Sequence, residues 1–369
     1  MSSPPRQHPG ALSLGAAREH LWSAVLQGDE GRAAAVVLDA LDASADAETV
    51  LLDLIAPVQA RVGTEWAANR LTVAQEHTAT AIHERVIAVL AHRPDRPAVA
   101  PSGPRVTVAC VDGEWHALPA RLLAEVLRLR GWRVDFLGAH VPTPHLIAHL
   151  HRTGPRAVAL SSSIPTHLPT AHMAVTACQA AGVPVIAGGA AFGPDGRYAR
   201  ALGADGWAPD ARGAAEVLER GLDRPGPPGV HHTVDDLPHL ADQEYTIVAG
   251  STHQLVKQTL ADLEDRFEPM RRYTERQRRH TAEDLAHIVE YLATSLYVAD
   301  EELFTRFILW TADILTARGV PARSLDPALD LLTLQLKDFP RACHTLAHAR
   351  EALGDRTPPS TIPGPGKPA

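Results

Sequence analysis

The stretch Val111-Asp112-Gly113-Glu114-Trp115-His116-Ala117-Leu118-Pro119 decides the fold. It follows an apolar run at 106–111 and precedes an amphipathic segment at 119–130, so it reads as a strand-to-helix loop. Gly113 permits a tight turn, His116 projects from the loop, and Pro119 suits a first helical position, where no N–H is needed. Working outward, apolar strands at 106–111, 134–137, 157–160, 183–187 and near 206–208 alternate with helical stretches at 119–130, 144–151, 168–181 and 198–202. This alternation predicts a doubly wound parallel sheet. Ligands bind such sheets at the carboxyl ends of the strands. There the third strand runs into Ser161-Ser162-Ser163, and the fourth ends in Gly188-Gly189. A lone loop histidine is more often a surface residue, and Gly-Gly pairs are common turns. What makes a candidate site is their placement at successive strand ends.

The chain has 369 residues, enough for two or three domains. Prolines 94, 97, 101 and 104 make one break, and the run 223–229 (DRPGPPG) makes another. Three folded units are expected, at 15–91, 105–222 and 238–354, with residues 1–14 and the Pro-rich tail 355–369 disordered. The first unit carries helical periodicity at 33–41, 50–62 and 71–90 and predicts a four-helix bundle. The third predicts helices at 251–267, 281–297, 301–317, 324–336 and 341–352, a globin-like or bundle packing. A net charge of −8 gives no general attraction to nucleic acid or anionic membrane. No apolar run is long enough to span a bilayer, and no signal peptide is visible. Three isolated cysteines point to a reducing compartment, hence the cytoplasm. Histidine, at 20 residues, is the unusual count.

The middle unit resembles the cobalamin-binding domain of methionine synthase, corrinoid methyltransferase proteins and cobalamin-dependent light-sensing repressors. The residues that carry the resemblance are Glu114-x-His116, the Ser161–Ser163 run and Gly188-Gly189. The resemblance implies that His116 is the lower ligand of cobalt and that Glu114 bonds its far ring nitrogen. It implies that Ser161 and Ser163 touch the nucleotide tail of the cofactor, and that Gly188 and Gly189 let that tail lie against the sheet. Glu114 stands where many members have Asp, and Pro119 where they have Gly.

In the first unit Trp66 is followed, after nine residues, by Glu76-His77. Taken alone, these are a buried Trp and an ion pair on a bundle helix. Directly before a cobalamin domain they resemble the cap of the light sensors. There the Trp packs on the 5′-deoxyadenosyl group and the Glu and His bond it, which implies adenosylcobalamin. Ala67 departs from the pattern, which in the best-known repressors has there a His that ligates cobalt after photolysis; in this chain either water takes that site or another histidine, such as His77 or His83, does. A mutase would need a substrate barrel of about 250 residues, and none is visible.

Those repressors also carry an N-terminal winged-helix reader, whereas residues 1–14 are all that precede the cap here, so no DNA-binding domain is expected. The third unit stands in its place. Domain order resembles the photocobilins, which implies biliverdin as a second chromophore. Candidate propionate contacts are Arg271, Arg272, Arg276, Arg278 and Arg279, with His253, His280 or His287 near the pyrrole nitrogens; a solvated helix face is the plainer reading of the arginines. Tyr291, Phe304, Phe307 and Trp310 are core residues or the lining of a flat ligand, and Cys343 is a possible thioether site or a packing residue. The implied protein is a light sensor without a catalytic domain, with a light-dependent homo-oligomer and an unidentified partner. The alternative is a corrinoid carrier for a methyltransferase system.

Overall fold

A computed structural model describes residues 13–43, 45–93, 100, 102–222 and 242–356. Residues 1–12 and 357–369 of the segments expected to be disordered, 94–99 and 101 of the first proline-rich break and all of 223–229 lie outside the described residues. Leu14 and residues 355–356, also expected to be disordered, are helical instead. The rest falls into two compact units, one within Met1–Val234 and one within Asp235–Ala369.

The first unit opens with a helical cap. It comprises α1 (Leu14–Leu26), α2 (Glu30–Asp42), α3 (Ala47–Thr49), a π-helical stretch Val50–Ile55, α4 (Ala56–Ala67) and α5 (Val73–Ala91). Short acidic or hydroxyl side chains cap the starts: Asp29 accepts from the Arg32 N–H, and Thr72 with Gln75 forms a capping box on α5. The wide turn before α4 has a local cause. Pro57 has no N–H to give the Asp53 carbonyl, which instead accepts from Arg18 Nε at 2.5 Å.

The sheet follows: β1 (Arg105–Cys110), α6 (Leu118–Leu129), β2 (Arg133–Gly138), α7 (Thr143–Thr153), β3 (Ala157–Ser161), α8 (Leu168–Ala180), β4 (Val185–Gly188), α9 (Arg197–Ala201), β5 (Gly206–Trp207) and α10 (Ala211–Arg220). All pairings are parallel, in the order β2-β1-β3-β4-β5. Chain direction across the sheet reverses between β1 and β3, the switch point at which doubly wound folds bind ligands. Register aligns Cys110 with Ser161, and Ser161 with Gly188, so three strand ends finish side by side. β1 and β3 are buried along nearly their whole length, as a central parallel strand must be.

Cap and sheet, read from the sequence as separate units, share one hydrophobic core that runs from Leu21, Leu54 and Ile87 to Val108, Leu127 and Ile186. A charged seam also joins them. Arg212 of α10 reaches Asp53 at 3.1 and 2.5 Å and Glu48 at 3.2 Å; Arg130 grips Glu48 at 2.9 and 3.0 Å.

The second unit is helical: α11 (Glu244–Gly250), α12 (Thr252–Arg266), α13 (Glu275–Val298), α14 (Glu301–Ala317), α15 (Asp326–Gln335) and α16 (Pro340–Arg356). Its core centres on Leu292, Phe304, Ile308 and Leu346. The helix expected from 281 begins at Glu275, because Thr274 and Gln277 form a capping box that fixes the start ahead of the apolar period. α10 and α11 have no counterpart among the expected helices.

Candidate functional site

Glu114 is the centre of the loop after β1. Its carboxylate is fully buried. One oxygen accepts from the His116 backbone N–H at 2.8 Å and from His116 Nδ1 at 2.6 Å. The other accepts from Ser162 Oγ (3.2 Å), Ser163 N (2.6 Å) and Ile164 N (3.1 Å) in the loop after β3. Burial alone would push this carboxyl up, but the bonds from His116, Ser163 and Ile164 outweigh it and hold the group down at about 2. The bond from Glu114 raises the affinity of His116 for its proton, against the effect of burial.

Glu114 therefore fixes the tautomer. Nδ1 carries the hydrogen, and Nε2 is left as the nitrogen with a lone pair whenever the ring is neutral. The loop is braced from the side as well: Gly113 N–H donates to His140 Nδ1 at 2.9 Å, and the Trp115 and His140 rings stack at 4.8 Å.

His116 opens onto a cavity of about 500 Å³ between sheet and cap. Trp115, His116, Pro119 and Ser163 line it from the sheet side; Gln59, Glu76, His77 and Thr80 line it from α4 and α5. The capping box on Thr72 sets Glu76 and His77 just past the first turn of α5, where they meet the cavity. Glu76 and His77 are 3.7 Å apart. Trp66, expected on the same wall, is not among the lining residues; it is half-buried near the end of α4, against the cap core. His83 is buried within the bundle and does not line the cavity.

A second, narrower cavity of about 110 Å³ runs along the strand ends, lined by Ser161, Gly188, Gly189, Pro209 and Ala211. Ser161 thus lies on this slot, whereas Ser163 lies on the larger cavity. Ser162, which the sequence did not separate from its neighbours, donates to Glu114. Gly189 has φ +101°, and a Cβ there would sit 2.3 Å from the Ser162 carbonyl oxygen. Gly189→Ala is accordingly expected to cost about 3 kcal/mol or more. A melt unchanged from wild type would contradict this account of the strand-end contact.

The donor set fits a corrinoid. An imidazole nitrogen, oriented by a buried carboxylate, faces a wide cavity, and imidazole is a good ligand for late first-row metals. Beside it lies a slot kept open by two glycines. The comparisons agree: residues 104–216 match a family model described as B12 binding domain, and residues 17–91 match a second model with the same description. The cap and the sheet are B12 binding domains. A curated relative of this B12-binding unit is the HTH-type transcriptional repressor CarA of Myxococcus xanthus, 36% identical over 163 residues, 43% of this chain and 51% of the relative. The chain thus spans about half the length of that relative. Similar solved structures include the monomethylamine corrinoid protein of Methanosarcina barkeri, with TM-score 0.47 and 18% identity over 56% of this chain and 99% of that one. Another is a cobalamin-binding protein of Desulfitobacterium hafniense DCB-2, with TM-score 0.32 and 22% identity over 56% of this chain and 98% of that one.

In the second unit a cavity of about 230 Å³ is lined by Phe267, Tyr273, Gln277, His280, Asp284 and Leu285, among others. Burial pushes the Asp284 carboxyl up. His280 is the member of the expected cluster that lines it. Arg271 and Arg272 lie on the turn Glu268–Arg272, and Arg276, Arg278 and Arg279 on the opening turns of α13; all five are exposed and none lines the cavity. His253 and His287 are both exposed. The aromatic group packs on itself: Tyr291 and Phe307 stack at 3.7 Å, and Phe304 is fully buried. Cys343 is half-buried on α16, its Sγ 3.1 Å from the Leu336 carbonyl. No described helix is long and apolar enough to cross a membrane.

Proposed function

We propose that the protein is an adenosylcobalamin-dependent light sensor with biliverdin as a second chromophore in its helical unit. The observation that carries the first part is that Glu76 and His77 of the cap line the same cavity as His116 of the sheet. A polar pair opposite the proposed cobalt ligand suits an upper ligand rich in hydroxyl and amine groups, which a bare methyl group would leave unsatisfied. Adenosylcobalamin supplies a weak cobalt–carbon bond that visible light breaks. The residues of this chain bind and orient: His116 would hold the cobalt, Glu114 holds the tautomer of His116, and Glu76 and His77 would hold the adenosyl group.

A methyl carrier must let its cap swing away from the upper face. The seam of Glu48 and Asp53 with Arg130 and Arg212, together with the shared core, favours a cap that stays seated. The relationship to a transcriptional repressor supports a regulatory role over an enzymatic one. For the bilin, support comes from the apolar cavity with His280 and Asp284, beside a turn of α13 dense in arginine. Output is proposed to run through a change of assembly and an unidentified protein partner.

Colour provides the test. Protein loaded in the dark with adenosylcobalamin and biliverdin should carry a corrin band and a red bilin band, and light should change the corrin band irreversibly. A corrin band indifferent to light would favour the methyl-carrier reading, and a missing red band would remove the bilin. Size measured in dark and light checks the change of assembly.

A further inference from the structure

Behind Glu76 a chain of hydrogen bonds runs into the core of the cap. His83 Nδ1 lies 2.7 Å from Gln59 Oε1, Gln59 Nε2 donates to Thr80 Oγ1 at 2.8 Å, and Thr80 Oγ1 donates to Glu76 Oε1 at 3.0 Å. Its members come from two helices, Gln59 from α4 and the others from α5. The sense of the chain is fixed by its chemistry. An amide oxygen only accepts, so His83 Nδ1 must be the donor. The amide nitrogen then faces Thr80. The hydroxyl of Thr80, already accepting, has its one hydrogen left for Glu76. His83 is fully buried, and its Nε2 has no partner among the described residues. A charged ring is therefore disfavoured, since burial pushes the group down to about 4.

We propose that Thr80, Gln59 and His83 are positioning residues that hold Glu76 as a hydrogen-bond acceptor at the cavity wall, and thereby favour a corrinoid whose upper ligand carries hydroxyl donors over one that carries a bare methyl. One carboxylate oxygen is pinned by the chain, and Glu76 meets the cavity with lone pairs rather than with a free rotor. A hydroxyl-bearing ligand finds its acceptor in place and is spared the entropy of ordering it. A methyl group gains nothing from it. This inference rests on the cobalamin reading.

The test uses the full chain in the dark, titrated separately with adenosylcobalamin and methylcobalamin. Wild type should prefer the adenosyl form. Thr80→Val keeps the shape of the side chain but removes the hydrogen; it should weaken adenosylcobalamin binding about tenfold and leave methylcobalamin within about twofold. Thr80→Ser should restore the preference, and Gln59→Met should behave as Thr80→Val does. Equal losses for both cofactors in Thr80→Val, no loss for either, or no rescue by Thr80→Ser would each overturn the proposal. A wild type with no preference would overturn it too. Failure of wild type to bind either cofactor would overturn the cobalamin reading itself.

Discussion

Glu114→Gln should lower the melting temperature of the first unit by roughly 6–12 °C at pH 7, the shift produced by a loss of about 3 kcal/mol in a unit of this size. The carboxylate accepts from three backbone N–H groups and two side chains, and the loops after β1 and β3 are joined through it. An amide there keeps the shape but turns an NH2 group against donors and leaves buried N–H groups unpaired. The same interaction sets a pH dependence. The folded group titrates near 2 against an ordinary value of 4.5. Its stabilisation is therefore fully present above pH 4.5 and is lost as pH falls toward 2, on the order of 3 kcal/mol in all. His116 acts in the opposite sense: its proton affinity is raised, so its contribution is present below 6.5 and fades as pH rises through the folded value. The two shifts share the Glu114–His116 bond and are not additive. Melts of wild type and Glu114→Gln between pH 7 and pH 3 check this, because the gap should narrow below pH 4.5. A constant gap would show that the charge is not what matters.

His116→Ala should separate binding from folding. The side chain is 59% exposed, and Glu114 keeps its backbone donors when the ring is gone. The melt should stay within a few degrees of wild type. Cobalamin affinity should fall by about 100-fold or more, since outer partners of a metal ligand alone change affinity 10–100-fold. Spectrophotometric titration gives the affinity. Added imidazole should recover part of it by occupying the vacated position below cobalt. An affinity equal to that of wild type would remove His116 from the ligand role.

These two variants bracket what could be read directly. The loop 111–119 was legible because its signals are local: a glycine for the turn, a proline at the helix start, and apolar runs on either side. The Thr72 and Thr274 capping boxes are local too, yet only the structure gave either its weight. Contacts between distant residues were not legible. Ser162 was one of three identical neighbours, and its choice as the donor to Glu114 depends on which way each strand-end residue points once β3 lies beside β1. Gln59 and Thr80 lie in no motif; they are ordinary residues of amphipathic helices until α4 and α5 pack together. Trp66 carried a family pattern, yet it lies against the cap core because half-burial there also satisfies a large ring.

By itself the sequence determined the alternation of strands and helices, the helical cap, and the loop residues that line the strand ends, since all of these follow from periodicity and turn chemistry within short windows. Tertiary structure alone decided the strand order β2-β1-β3-β4-β5, which brings Glu114 to Ser162, Ser163 and Ile164, and the packing of α5 that carries Glu76 and His77 to the cavity of His116. The physical reason is that a parallel sheet joins strands far apart in sequence. Which strand ends meet depends on how all the connecting helices cover the two faces, not on any one stretch of chain.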